Sequence, residues 1–124
     1  KLFKKYELKN FFDNIFEKLY ETDVLISRAG AGTINDVIFS QTPTIFVPLP
    51  SSSNNHQFFN ANYLKQKKAA ILIEQKDLIS DKSLLTIIEL IRNFDQQNIL
   101  IKNLQMIKSF DTNELIFKHL NDKI

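Results

Sequence analysis

Residues 23–36 read DVLISRAGAGTIND, and the fold follows from how this stretch is interpreted. An apolar run, Val24-Leu25-Ile26, leads into Ser27-Arg28-Ala29-Gly30-Ala31-Gly32-Thr33, after which the residues can start a helix. The chain holds only two glycines, Gly30 and Gly32, and both sit in this one turn. Glycine is selected where the backbone must take an unusual conformation or be approached closely. A buried strand, a glycine turn and a helix N-terminus together form a seat for an anion. The first expectation is therefore a phosphate-containing ligand resting on this turn.

Outward from the turn, strand and helix alternate. Tyr6-Glu7-Leu8 reads as a short strand and Asn10-Phe11-Phe12-Asp13 as a turn. Ile15, Phe16, Leu19 and Tyr20 recur at helical spacing, with Asp13 as the cap. Val24–Ile26 is a buried strand. Thr33 or Asn35 opens the next helix, whose inner face is Ile34, Val37 and Ile38. Pro43 precedes a second buried strand, Thr44–Val47, which Pro48 closes. Leu49–Asn55, rich in Ser, Asn and Pro, is a loop. A helix over about Gln57–Lys67 turns Phe58, Ala61 and Leu64 inward. Ala70–Ile73 is a third buried strand. Ser80-Asp81 starts a helix through Leu84, Leu85, Ile87, Ile88 and Ile91. Two further helices are expected, around Ile99–Ile107 and over Thr112–Leu120, with Asp111 capping the second.

Apolar strands alternating with helices indicate a parallel sheet covered on both faces, an α/β, Rossmann-like half-domain. Such sheets bind ligands at the carboxyl ends of their strands. Three loops qualify: the one after Leu8, the glycine turn, and Pro48–Asn55.

Composition narrows the function classes. The 124 residues make one domain at most, and 44% hydrophobic content suits a globular protein with a real core. A net charge of +2, with scattered lysines, gives no footprint for nucleic acid. The absence of cysteine removes disulfide and thiolate chemistry and leaves cytosol as the default compartment. No apolar run approaches the roughly 20 residues that span a bilayer. The chain opens on Lys1 and its one methionine is Met106, so a piece of a longer protein is expected.

Several polar residues can serve a ligand. Gly30-x-Gly32-x-x-Asn35 lacks the third glycine of a dinucleotide fingerprint, and no acid stands about 20 residues on, which argues against a dehydrogenase. Asp36, one helical turn beyond Gly32, can take two ribose hydroxyls or be a solvated helix acid. Arg28 can meet a phosphate or brace the loop through carboxylates. His56 and Gln57 follow the Ser-Asn loop, and the Gln57 amide both donates and accepts, which suits sugar hydroxyls. His119 lies far off in the tail, and neither metal-ligand spacing nor a cofactor motif is present.

The segments ISRAGAGTIND, PTIFVPLPSSSNNHQFFNA and AAILIEQKDL together resemble the C-terminal, donor-binding domain of the glycosyltransferase family 28 enzymes of peptidoglycan synthesis. The resemblance runs from about Tyr6 to the end of the chain. It implies the partial C-terminal half of a GT-B glycosyltransferase, residues 1–124 forming a single UDP-sugar donor-binding domain with C-terminal helices. The implied reaction is an inverting transfer of N-acetylglucosamine from UDP-N-acetylglucosamine to a lipid-linked muramyl-pentapeptide. It implies a cytoplasmic enzyme, peripheral at the inner face of the cell membrane. By the same resemblance, Phe12 lies where the uracil is held through the backbone. Ala31, Gly32 and Thr33 lie against diphosphate and sugar, and Arg28 braces their loop. Asp36 replaces the family's ribose-binding glutamate, one methylene shorter, and His56 and Gln57 meet the N-acetylglucosamine hydroxyls. No catalytic residue is implied within this chain, because the acceptor site and the base belong to the N-terminal domain of such enzymes. Two other readings stay open: the catalytic subunit of a two-part transferase making chitobiosyl lipid, and a non-catalytic nucleotide-sugar-binding fragment.

Overall fold

The computed structural model describes residues 7–122, with side chains through residue 110. Lys1–Tyr6 lie outside the described residues. Glu7 and Leu8 belong to no strand, so the expected first strand is not found there. The chain orders itself as α1 (Ile15–Tyr20), β1 (Leu25–Ser27), α2 (Ala31–Ser40), β2 (Thr44–Phe46), α3 (His56–Gln66), β3 (Ile71–Leu72), α4 (Asp81–Arg92) and α5 (Phe94–Asp122). The three strands form one parallel sheet in the order β1-β2-β3, with Leu25 beside Thr44 and Ile45 beside Ile71. This is the expected Rossmann-like α/β arrangement.

Alternation along the strands divides the core in two. Phe46, with Leu25 and Leu72, packs against Ile34, Val37 and Ile38 of α2 and Ala61 and Leu64 of α3. Ile45 and Ile73, with Ile71 and Val24, pack against Leu90 of α4 and Leu100 of α5. Phe46, Ile45, Val37 and Leu64 have no accessible surface. Burying each such side chain stabilises the fold by about 1.5–3 kcal/mol. The central strand, β2, is buried at every residue, whereas Ile26 of β1, which pairs only with β2 among the described residues, is 49% exposed.

Helix ends depart from expectation in three places. The residue preceding α1 is Asn14, not Asp13; its Nδ2 reaches Glu17 Oε2 at 3.5 Å, while no side chain caps the backbone. The helix after the glycine turn begins at Ala31, two residues before Thr33, with Gly30 as its N-cap. The two tail helices are one. Asp111 is a residue of the continuous α5, since the run Lys108-Ser109-Phe110-Asp111-Thr112 has neither glycine nor proline to break it. Ser80 does cap α4, its Oγ accepting from Ser83 N at 3.2 Å.

α4 buries only part of its apolar surface: Leu84, Leu85, Ile88 and Ile91 are exposed. α5 closes the opposite end of the domain from the strand tips. Asn103 Nδ2 donates to Lys68 O ahead of β3, and Lys108 Nζ to Phe39 O ahead of β2. Among the described residues no helix is long and apolar enough to cross a membrane.

Candidate functional site

β1 delivers the chain to Arg28-Ala29-Gly30 and α2 departs at once. Ile34 N–H bonds to Gly30 O at 3.0 Å, the first intrahelical bond. The N–H groups of Ala31, Gly32 and Thr33 therefore have no partner in the helix, and no side chain caps them. They gather at the carboxyl end of β1, where the aligned peptide dipoles add a partial positive charge.

Of the two reasons expected for the glycines, an unusual backbone conformation does not apply. Gly30 has φ −66° and ψ 155°, Gly32 lies inside the helix, and neither has a positive φ. A Cβ on either would meet no protein atom within 4 Å. Left-handed backbone occurs instead at Gln41, Asn54, Asn55 and Lys68. The chain thus accepts ordinary side chains where glycine would relieve strain, and spends both glycines where its own atoms leave space.

The turn is held from two sides. Arg28 Nη1 donates to Val47 O at 3.2 Å and to Pro48 O at 3.4 Å, joining the ends of β1 and β2. The brace runs through carbonyl groups rather than the carboxylates expected. From α3, Gln57 Oε1 accepts from Ala29 N at 3.2 Å and from Leu49 N at 2.9 Å. Asn60 Nδ2 donates to Ala29 O at 3.0 Å. Ala29 itself is completely buried. The acceptor of Gln57 is therefore committed to the backbone, and only its NH2 remains to face a ligand, a correction to the two-way role read from the sequence. Ser52 Oγ in turn accepts from Gln57 N at 3.3 Å, tying the serine-rich loop to the start of α3.

The structure thus brings together Arg28, Ala31, Gly32, Thr33 and Gln57 around one turn. Asp36 lies on the second turn of α2, half-buried, and forms neither hydrogen bond nor ion pair among the described residues. His56 opens α3 and is exposed. Phe12 sits apart on the segment before α1, half-buried, with Lys9 Nζ 5.5 Å and Lys18 Nζ 5.9 Å from its ring centre. Asn54 and Asn55 supply the left-handed bend into α3, a conformation that Asn enters more readily than most residues.

Sequence reasoning missed Asn60 and the loop after β3. Asn60 is three residues beyond Gln57, so one helix face carries both amides. The loop after β3 lies at a third strand tip. Glu74, Gln75 and Lys76 share a cavity of about 130 Å³ with Pro48, Leu49, Pro50, Asn55 and Phe58. That volume is well below the roughly 300 Å³ at which pockets enclose small ligands. The glycine turn lies outside that cavity and is open, with Ala31 and Gly32 exposed, so the seat is a shelf. Among the described residues, no group of three or more His, Asp or Glu side chains could hold a metal ion.

Residues 1–114 match the family described as Glycosyltransferase family 28 C-terminal domain. Over 93 residues the chain is 46% identical to the UDP-N-acetylglucosamine–N-acetylmuramyl-(pentapeptide) pyrophosphoryl-undecaprenol N-acetylglucosamine transferase of Rickettsia akari (strain Hartford), covering 75% of this chain and 24% of that protein. The protein of the same name from Rickettsia bellii (strain RML369-C) is 46% identical over 88 residues, covering 71% of this chain and 25% of its own length. The crystal structure of Acinetobacter baumannii MurG matches with a TM-score of 0.70 and 27% identity, over 80% of this chain and 28% of that one. The chain spans about a quarter of the length of the curated relatives it matches.

Proposed function

The chain belongs to glycosyltransferase family 28, as its C-terminal domain, and from that premise we propose that it is the donor-binding part of a MurG-type enzyme. The whole enzyme moves N-acetylglucosamine from UDP-N-acetylglucosamine to a lipid-linked muramyl-pentapeptide in peptidoglycan synthesis. The observation that carries this reading is the pinned turn: three unpartnered N–H groups at a helix N-terminus, beside two glycines with open space around them.

On this reading the diphosphate rests against the N–H groups of Ala31, Gly32 and Thr33. Asp36, without a protein partner, takes the ribose hydroxyls, and the Gln57 NH2 donates to a hydroxyl of the sugar. His56 lies at the sugar end and Phe12 at the uracil end, where the backbone makes the contact. The acceptor hydroxyl attacks the anomeric carbon as its bond to the diphosphate oxygen breaks, and the hydroxyl proton passes to a base outside this chain. Charge building on the departing diphosphate is stabilised by N–H groups already oriented, so little reorganisation is needed in the transition state.

The open shelf and the exposed apolar side chains of β1 and α4 support a further part of the protein covering this half. We place the acceptor site, the base and the membrane contact in that part, with the enzyme peripheral at the cytoplasmic face of the membrane. The chain by itself is then a donor-binding domain without transferase activity. Calorimetric titration of UDP-N-acetylglucosamine, UDP and uridine tests the reading. Binding by the first two and not by uridine is expected; absence of binding at millimolar concentration rejects it for this chain.

A further inference from the structure

We propose that Asn60 is a positioning residue, which with Gln57 forms a two-point amide clamp setting the direction of the anion-binding N–H groups at the start of α2. The N–H and C=O of Ala29 belong to different peptide planes, Arg28–Ala29 and Ala29–Gly30. Gln57 Oε1 holds the first at 3.2 Å and Asn60 Nδ2 the second at 3.0 Å. Fixing both planes about one Cα fixes its φ and ψ, the two soft torsions of the residue. Ala29 immediately precedes the N-cap, so those torsions decide how α2 leaves β1.

The geometry favours a clamp over incidental contacts. Gln57 and Asn60 are three residues apart on one rigid helix, so both amides reach the turn from the same face. Gln57 Oε1 also accepts from Leu49 N at 2.9 Å, which registers the next strand-tip loop against the same helix. Water could satisfy both groups of Ala29 equally well, but would not fix their planes. Gly30 adds no restraint of its own, having no side chain. What orients the N–H groups is therefore lodged in α3, more than twenty residues downstream.

The inference rests on the diphosphate reading of the turn for its functional consequence, though not for the clamp itself. Two variants test it in the full-length protein, with UDP as probe. Asn60→Ala removes the donor. Asn60→Asp sets an acceptor-only carboxylate against the Ala29 carbonyl oxygen at neutral pH and becomes a donor when protonated. UDP affinity is expected to fall about threefold to tenfold in Asn60→Ala, the order of a lost hydrogen bond, and further in Asn60→Asp, where repulsion adds. Relative to wild type at each pH, Asn60→Asp alone should recover as the pH falls through the carboxylate range. In the ligand-free protein, amide hydrogen exchange should rise in Asn60→Ala at Ala29 and Ile34, whose N–H groups bond Gln57 Oε1 and Gly30 O, while α4 keeps its wild-type protection. Wild-type affinity in both variants overturns the positioning role. Unchanged exchange at Ala29 and Ile34, or an increase spread evenly over α4, overturns the clamp. Failure of wild type to bind UDP rejects the diphosphate reading and the positioning role with it, while the exchange measurement still decides the clamp.

Discussion

Arg28 reaches across the tips of β1 and β2 to Val47, its Nη1 donating to the carbonyl oxygen at 3.2 Å. A charged donor on a backbone acceptor joins the glycine turn to the proline-bounded loop, and a second contact to Pro48 O extends the brace. Arg28→Ala should cost about 1.5–3 kcal/mol, the scale of a hydrogen bond to a charged group, visible in chemical denaturation. Arg28→Lys keeps the charge but not the guanidinium geometry by which Nη1 meets both carbonyls, so it should recover only part of the loss.

The two glycines separate stability from binding. Gly32→Ala, in the first turn of α2 with open space around it, should stabilise the protein by up to about 1 kcal/mol through helix propensity. Gly30→Ala, at the N-cap with an ordinary φ, should cost less than about 1 kcal/mol. It should nonetheless weaken UDP binding severalfold, because its methyl enters the space left for the ligand. Thermal melts with and without UDP distinguish the two effects.

Asp36 should matter to the donor alone. With no protein partner among the described residues, Asp36→Ala should change stability by no more than about 0.5 kcal/mol, as unpartnered surface positions do. In steady-state kinetics of the full-length enzyme it should raise the donor KM at least tenfold, leaving the acceptor KM unaltered. An unaltered donor KM removes Asp36 from the site. Asp36→Glu, which restores the missing methylene, should keep or improve the donor KM.

A buried hydroxyl chain holds α1 to the sheet. Thr42, 1% exposed, donates to Leu19 O at 2.9 Å and lies 2.7 Å from Ser40 Oγ. Thr42→Val preserves shape but removes the hydroxyl bonded to Leu19 O, which keeps the Thr22 N–H at 3.1 Å, and should cost about 0.5–1.5 kcal/mol in denaturant unfolding. Ser40→Ala, which leaves the Thr42–Leu19 bond in place, should cost less.

How much of this could be read from residues alone differs by element. The three strands and α2 to α4 were legible because short apolar runs between proline, glycine and polar breakers have few other solutions. The start of α4 at Ser80-Asp81 was legible for the same local reason. Helix ends governed by geometry rather than residue type were not: Gly30 caps α2 without a side chain, and Asp111 looks like a cap yet lies within α5. At the site, residue identities pointed to Arg28, Gly32 and Gln57, but no local pattern reveals what a side chain is bonded to. The commitment of Gln57 Oε1 to two backbone N–H groups arises from segments brought together only by the fold. The same holds for Asn60, whose partner lies 31 residues upstream.

The path of α5 also sets an order of events during synthesis. Leu104 and Ile107 complete the core formed by α2, α3 and Phe46, and Lys108 reaches back 69 residues to Phe39. That core stays unsealed until α5 has left the ribosome, however early the first two strands emerge. Through that interval the inner face of α2 stays open to chaperones and proteases.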